Sequence, residues 1–496
     1  MTEVKEANSA SGGGGDGGYD IFKPLDDSKI KRFHLKTILI AGMGFFTDAY
    51  DLFVIGVLGA LFTFYLPFAI PGKLAAFQLS GKTGYITGIE LIEAAAIFGA
   101  AVGPFIFGRL GDIFGRKKIY GIEMLILVFG AVASGLAWSF ASLVIFRFIL
   151  GLGIGGDYPM SATIMSEYSN VKSRGKLIGT VFAMQGFGLM AGIVLAIGLL
   201  VTIPASLGTI WRVLLIAGAI PAIAVYYYRR RMPETPRFTY HVKGETKEAA
   251  STITSLTGAK VDTMSSANGR KSSYFQMVRA YWPFIIGTAA SWFFFDISFY
   301  GTSIYTATLF KSLSLVYSPG LSNVNHLLIA EEYTALIDLA FTIPGYWIAV
   351  LTIDRVGRKT LQLVGFGGMA LAFATLGFDP TIIGLGAPFV AIYGLTFLLG
   401  NLGPNTTTFV LPTELFPTAF RATGHGIAAG SGKLGAAIST LLFGTLIFVW
   451  GNSGMMLFLG TIATVAFIVT LVFIKETKQQ SLEAVSREGL AETLAD

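Results

Sequence analysis

The sequence predicts an all-α integral membrane protein with twelve transmembrane helices in two pseudo-symmetric halves of six. Three observations predict this fold. Of the 496 residues, 53% are hydrophobic and only 13% are charged, which is typical of polytopic membrane proteins. Twelve apolar runs are long enough to cross a bilayer, and segments of the first half recur in the second. The chain has no cysteine, which excludes a disulfide framework and thiolate chemistry.

The twelve apolar runs, numbered span 1 to span 12, approach the roughly 20 helical residues that a hydrocarbon core of about 30 Å requires. In the first half they lie near residues 37–66, 84–107, 119–138, 143–165, 177–203 and 210–228. In the second half they lie near residues 281–310, 333–353, 361–378, 387–411, 426–450 and 455–474. The chain then divides into a disordered N-terminal tail, a first half, a linker, a second half and a C-terminal tail, at 1–33, 34–228, 229–280, 281–474 and 475–496.

Basic residues predict the orientation of the spans. Lysines and arginines gather in the tails, in the linker and in alternate connections, and the remaining connections carry few of them. Because cytosolic loops carry the excess of positive charge, both tails and the linker are expected in the cytosol. The net charge of +6 therefore reflects topology, and no nucleic-acid partner is needed to explain it. The Gly- and Ser-rich residues 1–19 have no apolar core and do not form a signal peptide.

Three pairs of segments indicate an internal repeat. They are GDIFGRK at 111–117 with DRVGRK at 354–359, Glu167 and Arg174 with Glu414 and Arg421, and FFTD at 45–48 with FFD at 294–296. The first pair is offset by 242 residues and the second by 247. Positions related in this way are expected at matching depths in the two halves.

Longer motifs resemble a known family across nearly the whole chain. GRLGDIFGRKK at 108–118, RFILGLGIG at 147–155 and PETPR at 233–237 resemble the major facilitator superfamily. Four segments also resemble one family of this superfamily, the phosphate:proton symporters. They are FFTDAYDLF at 45–53, GGDYPMSATIMSEYS at 155–169, AMQG at 183–186 and WFFFDISFYG at 292–301. The resemblance implies the major facilitator fold and symport of inorganic phosphate with protons by alternating access. It implies neither an enzyme nor a cofactor or metal.

Polar residues of the first half have polar counterparts about 247 residues later in the second half. This pattern predicts a substrate site near the midplane of the bilayer, where the two halves meet. Tyr158 corresponds to Asn405, and Asp48 corresponds to Asp296. A tetrahedral oxyanion needs several converging donors, which hydroxyl, amide and indole groups supply. Candidate donors are Tyr158, Gln185, Trp292, Tyr300 and Asn405. The resemblance implies the same residues, together with Asp296, as the phosphate ligands.

Carboxylates within the spans predict proton coupling, because intramembrane ionisable residues are functional hypotheses by default. Asp296 beside phosphate would repel it unless protonated, so we hypothesise that Asp296 carries a proton when phosphate is bound. Asp48, Asp51 and Asp157 have fewer donors nearby in sequence and are assigned to proton transfer. Lys433 is expected to pair with Asp48 or Asp51, as the resemblance also implies.

Charged residues near the cytosolic helix ends are expected to hold one conformation closed rather than to bind substrate. These gating residues are Asp112, Arg116, Glu167, Arg174, Glu414 and Arg421. Arg147 also lies near a helix end, and a structural role is expected for it. Glu93 in span 2 and Asp338 in span 8 leave two interpretations open, a proton route or helix packing.

Three sequence patterns suggest nucleotide or metal binding, but the residues around them do not support these functions. Gly151, Gly153 and Gly156 match the dinucleotide fingerprint, but the preceding SLVIFRFIL continues the same apolar run and forms no strand. The glycines are instead expected to allow close helix packing. SGKLG at 431–435 lacks the residues of a phosphate-binding P-loop. The scattered histidines 34, 241, 326 and 425 have no metal-ligand spacing.

Two alternatives to a phosphate symporter remain. A sugar or other organic-solute porter would share the superfamily motifs, although it would not need so many intramembrane carboxylates. A nutrient sensor would keep the binding site and signal through its tails. The expected partners are phosphate, protons and the lipid bilayer, without nucleic acid, and the expected state is a monomer in the plasma (cytoplasmic) membrane.

Overall fold

A computed structural model describes residues 21–261, 273–312 and 320–488. Within these residues, eleven helical segments are long and apolar enough to cross a membrane. They are Arg32–Phe62, Gly88–Phe114, Arg116–Gly135, Phe140–Tyr168, Arg174–Thr202, Leu207–Arg230, Tyr274–Ala307, Asn323–Val356, Arg358–Phe378, Ala387–Leu415 and Arg421–Phe473. The last has 53 residues and breaks at Gly451, where φ is 71° and ψ is 173°. It therefore makes two crossings, and the prediction of a twelve-helix fold is confirmed.

Several spans are interrupted. Spans 3 and 6 each consist of two helices, Arg116–Ile119 with Ile122–Gly135, and Leu207–Ala217 with Ala219–Arg230. Spans 8 and 10 each contain a π-helical turn, at Asp338–Thr342 and Asn401–Asn405. The helix of span 7 continues to Ser312. Short helices lie outside the spans at Lys23–Asp26, Pro236–His241, Thr246–Thr257 and Leu482–Ser486, with a 3₁₀ turn at Pro380–Gly384.

An antiparallel hairpin that the apolar pattern does not predict precedes span 2. Its strands are Ala75–Leu79 and Lys82–Ile86. Ser80 and Gly81 join them with φ values of 51° and 76°, which suit the turn that matches the twist of a hairpin. Span 2 consequently begins at Gly88 rather than near residue 84.

Glycines allow the first-half helices to approach closely, as predicted. A Cβ atom built on Gly151 in span 4 would lie 1.9 Å from the carbonyl oxygen of Ala96 in span 2. A Cβ on Gly153 would lie 2.5 Å from the backbone nitrogen of Leu127 in span 3. Only hydrogen fits at these positions, so the apparent dinucleotide motif is a helix-packing surface.

The N-terminal tail is more ordered than the sequence predicts over the residues that the structure describes. Residues 21–25, expected to be disordered, place Ile21, Phe22 and Leu25 against an apolar face of the linker helix Thr246–Thr257. Burial of these side chains outweighs the polar composition that precedes them. Residues 1–20, 262–272 and 489–496 of the predicted tails and linker lie outside the described part. The side that carries the tails and the linker is called the cytosolic side below.

Span 6 also ends later than predicted. Its helix continues to Arg230, so Arg229 lies within the helix and not in the linker. The Arg229 side chain is fully buried. The apolar pattern ends at residue 228, and it cannot show that the next side chain turns back into the bundle.

Candidate functional site

The six residues predicted to bind substrate all lie buried in the interior of the bundle. They are Tyr158, Gln185, Trp292, Asp296, Tyr300 and Asn405, here called the central cluster, and each is at most 4% exposed. Spans 4 and 5 supply the first two, and spans 7 and 10 of the second half supply the others. The rings of Tyr158 and Trp292, which come from different halves, are 6.0 Å apart. Phe409 of span 10 packs against both rings.

Lys433 gives the central cluster a buried positive charge. Its Nζ lies 2.8 Å from Oδ2 of Asp296 and 4.6 and 4.4 Å from the ring centres of Tyr158 and Tyr300. The expected pairing of Lys433 with Asp48 or Asp51 was therefore wrong for this conformation. Span 11 packs against span 7 of its own half, where a Cβ on Gly432 would lie 2.4 Å from the Trp292 ring. This packing turns Lys433 toward Asp296.

Two donors of the central cluster have no hydrogen-bond partner. Nε1 of Trp292 and Nε2 of Gln185 are buried and unpaired, and so is Oδ1 of Asp296. The Trp292 indole lies close to the Asp296 carboxylate without reaching hydrogen-bond geometry. Buried polar groups are normally satisfied, so these unpaired donors are candidate contacts for a ligand.

Asn405 contacts Tyr346, a residue at the site that no sequence motif marks. Its Nδ2 donates to the Tyr346 hydroxyl and to Oδ1 of Asn401, both at 2.7 Å. Asn401 and Asn405 delimit the π-helical turn of span 10, and such turns often occur at functional sites. Tyr346 lies in span 8, where no motif marks it, and only the packing of spans 8 and 10 brings it to the site.

The first half holds a separate cluster of buried charge. Asp157 accepts hydrogen bonds from both terminal nitrogens of Arg229, at 2.9 and 2.7 Å, and from Ser161 at 2.6 Å. Glu123 lies 3.4 Å from the same guanidinium, which stacks 4.1 Å from the Tyr120 ring centre. The sequence analysis missed Arg229 and Glu123. The signal was the arginine run that ends span 6, whose first member has a side chain long enough to reach inward.

Asp48 and Asp51 are fully buried, and none of their carboxylate oxygens has a hydrogen-bond partner. The Asp48 carboxyl lies within electrostatic range of that of Asp157. Arg147 donates to the backbone oxygen of Asp51 at 2.9 Å and lies within electrostatic range of its carboxylate. Arg147, expected to have only a structural role, thus faces a candidate proton carrier.

The predicted gating residues meet at the cytosolic ends of the spans. Glu167 lies 3.0 Å from Arg116 of its own half and 3.0 Å from Arg421 of the other half. Thr235 donates a hydrogen bond to the same carboxylate. Asp112, 3.2 Å from Arg116, accepts from the backbone nitrogens of residues 422 and 423 at the start of span 11.

The second half repeats this arrangement. Glu414 lies 2.9 Å from Arg358 of its own half and 2.8 Å from Arg174 of the other half, and Thr477 donates to it. Asp354 accepts from the backbone nitrogens of residues 175 and 176 at the start of span 5. Arg358 and Asp354 were missed as gating residues, although the repeat that aligns 111–117 with 354–359 contained the signal.

The opposite ends of the two halves are also in contact. Lys82 of the hairpin donates to the backbone oxygen of Val449 at 3.1 Å, and Thr445 donates to that of Tyr85 at 2.7 Å. Glu93 of span 2 lies near Tyr305 of span 7. The central cluster is therefore closed off toward both sides, which is an occluded conformation.

Arg237 of the PETPR motif ties both tails to the cytosolic face. It lies 2.6 Å from Asp26 and 2.8 Å from Glu483, and it donates to the backbone oxygen of Glu167 at 2.7 Å. We call Arg237, Asp26 and Glu483 the tail clasp. Burial alone would raise the pKa of Glu483, but the charge and hydrogen bond of Arg237 lower it to about 2. Burial outweighs Arg237 at Asp26 and raises the pKa of that carboxyl.

Solved structures of similar fold define the class. The structure superposes with a TM-score of 0.72 on the proton:xylose symporter XylE bound to 6-bromo-6-deoxy-D-glucose, at 21% identity over 94% of this chain and 99% of that one. The TM-score is 0.70 for a partially occluded inward-open conformation of XylE from E. coli, at 20% identity over 91% and 100% of the two chains. With its paired halves and an enclosed polar cluster between them, the protein is a polytopic membrane protein of the major facilitator fold.

Sequence comparisons define the family. The family model described as sugar (and other) transporter matches residues 37–488. The chain is 36% identical to a probable inorganic phosphate transporter 1-12 of Oryza sativa subsp. japonica, over 95% of this chain and 94% of the relative. It is 37% identical to a low affinity inorganic phosphate transporter 5 of Petunia hybrida, over the same shares of the two chains. The chain belongs to the inorganic phosphate transporter family within the major facilitator superfamily.

Proposed function

We propose that this protein carries inorganic phosphate across the plasma membrane together with protons, by alternating access. The observation that carries the proposal is the buried Lys433–Asp296 ion pair, beside which the Trp292 indole donor has no hydrogen-bond partner. Nε2 of Gln185, another member of the central cluster, is also buried and unpaired. Unpaired donors and a lysine suit an oxyanion. The names of the relatives point to the same substrate.

Asp296 links phosphate binding to protonation in this proposal. A carboxylate that faces a phosphate anion in a buried site repels it. A proton on Asp296 removes that repulsion and breaks the ion pair with Lys433, whose Nζ is 2.8 Å away. The ammonium group is then free to bind phosphate, and the protonated carboxyl becomes a donor. Loss of either ligand weakens binding of the other, which is the coupling that symport requires.

Asp48, Asp51 and Asp157 are proposed to carry protons through the first half. Asp48 lies beside Asp157, and Asp51 lies beside Arg147. Arg229 donates two hydrogen bonds to Asp157 and so fixes the position of that carboxylate near Asp48. Coupling to protons is needed because each negative charge that enters a negative interior costs about 2.3 kcal/mol per 100 mV.

The direct test is uptake of radiolabelled phosphate into liposomes that contain the purified protein, with and without an inward proton gradient. Wild type should concentrate phosphate only with the gradient. Asp296→Asn should still bind phosphate but no longer concentrate it, because asparagine donates a hydrogen bond and cannot release a proton. Asp379→Asn is the matched control, since Asp379 is exposed in the connection after span 9.

The outcomes separate the proposal from its rivals. Entry of labelled hexose without movement of phosphate would establish the organic-solute porter. Binding of phosphate without transport would favour the nutrient sensor. The proposal further expects cytosolic termini, a monomer and no enzymatic turnover of phosphate.

A further inference from the structure

A small cavity lies between the two halves on the extracellular side of the central cluster. Its volume is about 30 Å³, more than the roughly 10–15 Å³ that one water needs. Phe53 of span 1 lines it and stacks on Tyr300 of the central cluster at 4.8 Å. Glu331 and Asp338 of span 8 line it as well. We call this space the outer cavity.

The two carboxyl groups in the outer cavity have no compensating charge. Glu331 is 1% exposed and Asp338 is 5% exposed, and Oε1 of Glu331 has no hydrogen-bond partner. Among the described residues that line the cavity from spans 1, 5, 7 and 10, no other side chain is ionisable. By contrast, Asp157 and Asp296 each lie within 3 Å of a cation. A buried carboxyl without a cation avoids a large desolvation cost only by holding a proton.

The outer cavity also lies next to the central cluster, since Phe53 contributes to both surfaces. Glu331 and Asp338 are seven residues apart, so both face the same side of span 8. Asp338 begins the π-helical turn of that span. Tyr346, two turns further on, lies within electrostatic range of both Asp338 and Asp296. Its hydroxyl accepts a hydrogen bond from Asn405 of the central cluster at 2.7 Å.

We infer that Glu331 and Asp338 form a proton-binding site between the extracellular solution and the central cluster. This site supplies protons to Asp296 by way of Tyr346. A proton passes from Glu331 through cavity water to Asp338 and then inward, and Glu331 is refilled from the extracellular solution. The hydroxyl groups of Ser303 and Thr334 line the cavity and can orient this water. The inference rests on the proposed function and adds the entry site that the motifs do not contain.

The test compares two activities of Glu331→Gln, Asp338→Asn and the double variant in liposomes. Amides mimic protonated carboxyls in shape and charge, so folding and the exchange of labelled for unlabelled phosphate at equal pH should change by less than about twofold. Accumulation of phosphate driven by a proton gradient should fall at least about tenfold, since one positioned proton carrier contributes at least that factor. Glu332→Gln is the control, because Glu332 adjoins Glu331 on span 8 and is exposed. Each measurement is made in parallel with sodium and with choline in place of sodium.

Each other result overturns the inference in a distinguishable way. If wild type shows no gradient-driven accumulation, the proposed function and the inference both fail. If wild type concentrates phosphate and the double variant behaves like Glu332→Gln, only the inference fails. Loss of exchange together with accumulation would assign the two residues to the substrate path. Accumulation that requires sodium, and loses this requirement in the double variant, would make the cavity a metal-cation site.

Discussion

Each ionised side chain within the spans needs a partner, because a low-dielectric interior penalises unpaired charge. Arg229 shows how one residue meets this requirement. Its guanidinium is held by Asp157 and Glu123 and stacks on Tyr120. Removal of one member of a buried ion pair typically costs about 3–5 kcal/mol, because the other charge remains uncompensated. Arg229 therefore stabilises the first half and fixes the charge next to Asp48.

Replacement of Arg229 by methionine should lower the melting temperature of the detergent-solubilised protein markedly, since Asp157 is left without its cation. The double variant Arg229→Met with Asp157→Asn should recover much of the loss, because both charges are removed together. Fluorescence-detected unfolding measures both. Arg230→Met is the control, because Arg230 is exposed. Equal melting of the Arg229 and Arg230 single variants would refute the role of the buried pair.

At the level of helices, close contact between spans 2, 3 and 4 depends on residues without side chains. Gly99 and Gly151 face each other across spans 2 and 4, and a Cβ on Gly99 would lie 2.1 Å from the backbone oxygen of Phe148. The obstacle is backbone and cannot rotate away. The helices must move apart if any side chain is added, and the Asp157 that span 4 carries would move with them.

Gly151→Ala should destabilise the protein by about 1–3 kcal/mol or more, the usual cost of an overpacked interior. Gly198→Ala in span 5 is the matched control, since a Cβ added there would meet no neighbouring atom within 4 Å. That control should be neutral or slightly stabilising, because alanine favours a helix over glycine. Thermal unfolding in detergent compares the two variants. Similar effects of both substitutions would show that helix propensity, and not packing, governs the result.

For the molecule as a whole, the cytosolic side is held together by contacts that the transport cycle must break. Glu167 and Glu414 each bind an arginine from the opposite half. The tail clasp adds a link from Arg237 to Asp26 and Glu483, which precede span 1 and follow span 12. These interactions favour a closed cytosolic side, and their loss should shift the population toward an inward-open state.

Release of the tail clasp should increase opening of the cytosolic side. Since the chain contains no cysteine, spin labels can be attached after Lys118→Cys and Thr360→Cys, two positions in opposite halves that are not fully buried. Electron-electron distance measurements should show a larger population of long distances in Arg237→Gln than in Arg231→Gln, whose arginine is exposed. Identical distributions in the two variants would show that the clasp does not affect the gate.

The pH dependence of the Arg237–Glu483 contact in the clasp follows from the pKa of Glu483, whereas the Asp26 carboxyl, with its raised pKa, is present in both of the proteins compared. Its pKa is lowered to about 2 when docked, against about 4.3 for a free glutamate. A lowered acid pKa means that the stabilisation is complete above about pH 4.3 and is lost as the pH falls toward 2. The difference in opening between wild type and Glu483→Gln should therefore be constant from about pH 8 to 5 and shrink only below that range. A difference that changes between pH 7 and 6 would contradict this assignment.

The sequence by itself determined the twelve-span architecture, and it marked as candidate ligands six residues that the structure buries in the interior of the bundle. Hydrophobic length fixes the spans because the bilayer has a defined thickness. The internal repeat places Tyr158 and Asn405 at matching depths, and both lie in the central cluster. These features depend on properties that each segment carries alone, namely its apolar length, its flanking charges and its similarity to another segment.

Only the tertiary structure decided which charges meet. Lys433 pairs with Asp296 and not with the aspartates that the sequence suggests, and Arg229 lies in span 6 and not in the linker. Glu331 lies within span 8, which begins at Asn323 rather than near residue 333. The direction in which a long side chain points, and the partner that it reaches, depend on how helices pack and on where a π-helical turn rotates them. These are properties of pairs of distant segments. The hydropathy and residue spacing of a single segment therefore cannot predict which charged side chains meet.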